Sequence, residues 1–128
     1  MPKPYVRKMP ATWWLQKSAY RKFMLRELTA VAVAAYCVFL LVMLYRIKQG
    51  GGSYDDFMGH LQTTGSVVLH FFAWLAAMYH TVTWFALLPK VFVVRMGEEK
   101  LPGVVLIAAH WLGWLAISGL LIWLVLFR

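Results

Sequence analysis

The sequence predicts an all-α membrane protein with three transmembrane helices, an interfacial basic and aromatic N-terminal segment, and a cytoplasmic N-terminus. Three observations carry this prediction. Of 128 residues, 62% are hydrophobic, well above the roughly 45–50% of a soluble domain. Only 14% are charged, and the charges fall in a few places instead of covering a surface. Between them lie three long uncharged runs, each near or above the ~20 residues needed to cross about 30 Å of hydrocarbon.

The first 26 residues hold Lys3, Arg7, Lys8, Lys17, Arg21, Lys22 and Arg26 among Trp13, Trp14, Tyr20 and Phe23. Rings interleaved with cations suit the headgroup zone, so residues 1–26 are read as a cytoplasmic or interfacial segment and 27–128 as the membrane domain. Leu28 to Tyr45 is the first uncharged run. It is longer than a signal-peptide core, and its alanines come early, so it reads as a retained anchor. A short loop follows, with Arg46, Lys48, a Gly50-Gly51-Gly52 breaker and Asp55-Asp56. Leu61 to Pro89 is the second run, Lys90 to Lys100 a polar connector, and Leu101 to Phe127 the third. Amides in lipid must bond within their own segment, so the runs are expected as helices over about 27–46, 62–89 and 101–127.

Charge sets the orientation. The preamble and the second connector together carry ten Lys and Arg, against three at Arg46, Lys48 and Arg128. The positive-inside rule puts the ten in the cytoplasm and the C-terminus outside. The net charge of +8 borders apolar spans and forms no solvated patch, so lipid and not nucleic acid is the expected partner. The one cysteine, Cys37, lies inside an apolar run and reads as packing. There is no CxxC, no cysteine cluster for iron–sulfur and no GxGxxG.

Membrane physics leaves a few residues unexplained. Glu27 stands at the mouth of the first helix, where a carboxylate must be solvated, paired or functional. Arg26 is its neighbour, pointing about 100° away around a helix. His60 falls in or near the outer loop, whereas His70, His80 and His110 fall within apolar runs. His80 is about 15 Å from the level of Lys90 at helical rise, and Trp84, four residues on, shares its face. Topology therefore places Arg26, Glu27, His80 and Trp84 in the cytoplasmic half of the bilayer. A flat indole, an imidazole and an edge carboxylate suit a quinone, which exchanges protons together with electrons. Haem is the rival by spacing alone, because His110 enters from the same side to a depth like that of His80, with His70 as a further ligand candidate.

Three blocks then point to a family. PYVRKMPATWW (Pro4 to Trp14), RKFMLRE (Arg21 to Glu27) and YHTVTWF (Tyr79 to Phe85) resemble the C subunit of bacterial quinol:fumarate reductase, the membrane anchor of the haem-free class. The resemblance implies an anchor in the bacterial inner membrane that serves anaerobic respiration and is not catalytic by itself. It implies pairing with a similar membrane protein, the D subunit. It implies docking of a flavoprotein subunit carrying FAD and an iron–sulfur subunit carrying the clusters. It implies a menaquinol oxidation site bordered by Arg26, Glu27, Ala30, His80 and Trp84, with no haem. His110 has no place in the family motif. Two other readings stand beside this one: a haem b anchor of succinate dehydrogenase type using His70, His80 or His110, and a structural tether without a ligand.

Overall fold

The computed structural model describes residues 8–127. Lys3, Arg7, the Pro4–Arg7 part of the first block, and Arg128 lie outside the described residues. A short 3-10 turn at Trp13–Leu15 leads into helix α1, Ser18–Gln49. Helix α2 covers Gly51–Leu61, α3 Thr64–Val91 and α4 Gly103–Phe127, with two-residue strands β1 (Arg95–Met96) and β2 (Glu99–Lys100) between the last two helices. Three helices, α1, α3 and α4, are long and apolar enough to cross a membrane, as the sequence predicts.

Two elements differ from the sequence reading. Helix α1 begins at Ser18, so Glu27 lies within the helix and does not open it. The cations do not interrupt the helix, because Arg21 and Lys22 are exposed and can be solvated in an aqueous or headgroup setting, and Arg26 is paired with Glu27. At 32 residues, α1 is about 48 Å long, longer than the hydrocarbon alone requires. The three glycines do end α1, because Gly50 takes φ +65° and its N–H reaches the carbonyls of Arg46 and Ile47. The chain then folds into α2 where a loop was expected. Tyr54, Phe57, Met58 and Leu61 recur at helical spacing and are half-buried, whereas Asp55, Asp56, Gly59 and His60 are exposed. Phe57 stacks on Phe39 of α1, with ring centroids 5.8 Å apart. Thr63 starts α3 by accepting the Ser66 N–H on its hydroxyl.

The chain forms two compact units, one up to Tyr79 and one from His80 onward. In the first, Trp13 sets its ring edge against Tyr20, 5.3 Å between centroids, which holds the 3-10 turn on the start of α1. Farther along, His70 of α3 meets the rings of Tyr36 and Phe39 edge-on at 5.6 and 5.0 Å. In the second unit, Phe85 of α3 contacts His110 and Trp111 of α4. Near that end Gly103 lies so close to Pro89 that an added Cβ would come within 2.7 Å of the proline ring. The connector between them is a small hairpin, Arg95 opposite Lys100 and Met96 opposite Glu99. Gly97 takes φ +66° as its first turn residue, the position that favours glycine in a tight hairpin.

Among the described residues only Leu88 and Thr29 are buried in the isolated chain. Leu28, Val31, Leu41, Val104, Leu112 and Val125 are all more than half exposed. Such an outer surface is unfavourable in water at about 25 cal/mol per Å², and is the surface that lipid or an apolar partner covers. Cys37 is on this outer surface and not in a core.

Candidate functional site

Four of the sequence-predicted site residues fall into two pairs of defined geometry. On α1, Arg26 donates from Nε and Nη2 to Glu27 Oε1 at 3.3 and 3.2 Å. The 100° between adjacent helix positions separates their Cβ atoms, but the long guanidinium stem bends back to the carboxylate. The Arg26 side chain is 14% exposed and that of Glu27 50%. Phe23, one turn earlier, lies under the guanidinium, with Cζ 5.1 Å from the ring centroid. Both hydrogen bonds fall on Oε1, so Oε2 of this half-open carboxylate is not taken up by the pair.

Thr29, buried beside this pair, donates its hydroxyl proton to the Arg26 carbonyl at 2.6 Å. Ala30 lies four residues from Arg26 and three from Glu27, and so shares their helix face. It is partly exposed, and its methyl group leaves room beside the carboxylate. Sequence reasoning missed Phe23 as a support for Arg26 and Thr29 as a buried hydroxyl. The signal for Phe23 was present, since an aromatic ring three residues before an arginine on a helix is in stacking range.

On α3 the rings of His80 and Trp84 lie parallel, 8° between planes and 6.2 Å between centroids. The i, i+4 spacing predicted one face, and the structure adds a common ring orientation. Thr83 donates to the His80 carbonyl at 3.2 Å. The pair forms a flat polar-edged surface, partly exposed along Trp84, with the imidazole as its hydrogen-bonding edge.

The other histidines share one habit. His60, His70 and His110 each set Nδ1 against the carbonyl four residues earlier, at 2.7, 2.7 and 2.8 Å. A carbonyl only accepts, so Nδ1 carries the hydrogen in each, and Nε2 is the nitrogen left for any other partner. Among the described residues no group of three or more His, Cys, Asp or Glu is placed to hold a metal ion.

Residues 1–126 match the model of the fumarate reductase C subunit family. The chain belongs to that family. It is 36% identical over 125 residues to the fumarate reductase C subunit of Salmonella paratyphi B, covering 98% of this chain and 95% of the relative. It is 32% identical over 114 residues to the Mycobacterium tuberculosis protein of the same name, covering 89% and 90%. The family is a membrane component of the fumarate reductase complex, in keeping with three helices long enough to span a bilayer. Membership as one subunit of a complex implies further subunits, and the exposed apolar helix faces of the isolated chain provide surface on which to meet them.

Proposed function

We propose that this chain anchors the complex in the bacterial inner membrane with its N-terminus in the cytoplasm. It pairs with the D subunit in the membrane and docks the iron–sulfur and flavoprotein subunits, which carry the clusters and FAD. It contributes Arg26, Glu27, Ala30, His80 and Trp84 to a menaquinol oxidation site used in anaerobic respiration, and is not catalytic by itself. The observation that carries the site is Glu27: a carboxylate on a spanning helix whose side chain is half exposed, with Oε1 engaged by Arg26 and Oε2 left over. A purely structural carboxylate within a membrane helix is expected to be more fully paired.

The donor set fits a quinol by its chemistry. Menaquinol, when bound, supplies two electrons and two protons. Arg26 orients the Glu27 carboxylate through charge-assisted hydrogen bonds to Oε1, so Oε2 is presented to accept a hydroxyl proton. Half exposure gives that proton a way out to the aqueous edge. The His80 imidazole hydrogen-bonds a ring oxygen, and Trp84, parallel to it, supplies a flat wall. Ala30 keeps the face beside Glu27 clear. A chain that crosses three times returns the C-terminal part of α3 to the side where α1 begins, which supports grouping the two pairs. Protons released on the cytoplasmic side return there, so turnover builds little or no membrane potential from this site.

The test is a reduced-minus-oxidised visible spectrum of the purified complex, with quinone extracted and identified from the same sample. Bound menaquinone without a haem band supports the reading. A stoichiometric haem b band would overturn it and assign His110, with His70 or His80, to ligation.

A further inference from the structure

At the far end of the first unit from the N-terminal segment, a cavity with charged residues in its lining lies near an apolar groove. The cavity, about 720 Å³, lies between the end of α1 and α2 and is lined by Arg46, Gly52, Ser53, Asp56, Phe57 and His60. Arg46 Nη1 donates to Ser53 Oγ at 2.9 Å, and Ser53 in turn donates to Gln49 Oε1 at 2.8 Å. This relay holds one arm of the guanidinium, and Arg46 lines the cavity, so a planar fork of the kind that suits a phosphate stands at its edge. Asp56, on the same cavity, has its carboxylate outside any ion pair of the described residues. A site with one fixed cation and one carboxylate complements a zwitterion and not a simple anion.

The groove, about 370 Å³, lies between α1 and the first half of α3. It is lined by Ala32, Ala35, Tyr36, Phe39, Leu69 and His70, among others, and is almost wholly apolar. A stacked pair lies between the two spaces, since Phe39 lines the groove and Phe57 the cavity, 5.8 Å between centroids. Their combined depth is set by α1: from Arg46 to Ala32 is about 21 Å at helical rise. One leaflet with its headgroups measures roughly 20–22 Å.

We propose that this face binds one phospholipid with an ethanolamine headgroup. Arg46 takes the phosphate, Asp56 takes the ammonium, and one acyl chain lies in the groove along Ala35 and Phe39. The small alanines leave room in the groove for a chain of methylenes, and the rings of Tyr36, Phe39 and His70, packed edge-on, are part of its lining. The site is independent of the quinol reading, because it shares no residue with it.

The experiment uses the complete purified complex, exchanged into vesicles of equal phosphatidylethanolamine and phosphatidylglycerol, then extracted gently and weighed intact by native mass spectrometry. One phosphatidylethanolamine per copy of this chain is expected on the wild type. Arg46→Gln lowers its retention about tenfold, the loss expected for a charge-assisted contact. Asp56→Asn keeps a lipid bound but shifts preference toward phosphatidylglycerol, a change that misfolding would not produce. A photo-crosslinking side chain in place of Ala35 should label lipid. Absence of bound lipid, equal headgroup preference in wild type and Asp56→Asn, or labelling of a neighbouring protein or a quinone from position 35 would each overturn the proposal.

Discussion

Arg26 and Glu27 are neighbours in the chain and form an ion pair of 3.2 Å across one step of a membrane helix. Adjacent helix residues seldom meet, and this pair does so because Phe23 supports the guanidinium from below. With Glu27 half exposed, the pair adds little to stability, as exposed ion pairs generally contribute about 0–1 kcal/mol. Its effect is to orient a carboxylate. Replacing Arg26 with Gln should therefore leave the fold intact and slow menaquinol oxidation less than loss of the Glu27 carboxylate does. Steady-state rates with a menaquinol analogue, measured beside complex yield, check this.

The parallel rings of His80 and Trp84 make a second prediction. Trp84→Phe keeps a flat wall and should change KM for the quinol only slightly, whereas Trp84→Ala should raise it several-fold, as expected for loss of an aromatic packing surface. His80→Ala removes the hydrogen-bonding edge and should lower kcat as well as raise KM. Equal effects of Trp84→Phe and Trp84→Ala would show that the ring plane is not used.

Gly103 and Pro89 give a stability prediction that owes nothing to the quinol. A Cβ at 103 would lie 2.7 Å from the Pro89 Cβ and 3.1 Å from its Cγ, and a proline ring does not swing aside. Gly103→Ala should destabilise the chain by about 1–3 kcal/mol, the usual range for overpacking. The helix-propensity gain of alanine is smaller at this first helical residue than in a helix interior. Pro89→Ala combined with Gly103→Ala leaves a methyl group facing the new one and should not restore the wild-type midpoint, because the Cβ–Cβ approach persists. Thermal midpoints of the purified complex report both.

Orientation is testable with single cysteines. Positions in the Arg95–Lys100 hairpin should react only with reagents that reach the cytoplasm, and positions in α2 should react with impermeant reagents added outside. The opposite labelling pattern would invert the topology and put Glu27 on the wrong side for the proposed site.

The three spans were legible because lipid imposes a simple rule: uncharged runs of sufficient length become helices. The partnership of His80 with Trp84 was legible because i and i+4 share a helix face. Helix α2 was obscured by the three glycines, two of which, Gly50 and Gly51, take a positive φ at the break, although Tyr54, Phe57, Met58 and Leu61 already carried helical spacing. The Arg26–Glu27 bond was missed because angular position on a helix describes Cβ atoms and not the ends of long side chains. The groove beside His70 and the approach of Gly103 to Pro89 depend on how separate helices pack, which one sequence does not state. His70 could be given a depth, but not the neighbours Tyr36 and Phe39.

The central claim is that Glu27 accepts the quinol proton, and Glu27→Gln tests it most directly. The substitution keeps shape and hydrogen-bonding capacity while removing the basic oxygen. Fumarate reduction by the purified complex is measured twice, with menaquinol and with a water-soluble dye that reduces the soluble subunits directly. Menaquinol turnover should fall by about 100-fold or more, the scale of general base catalysis, with the dye rate unchanged. Menaquinol turnover equal to wild type would contradict the account and leave Glu27 as a solvated residue at the edge of the membrane.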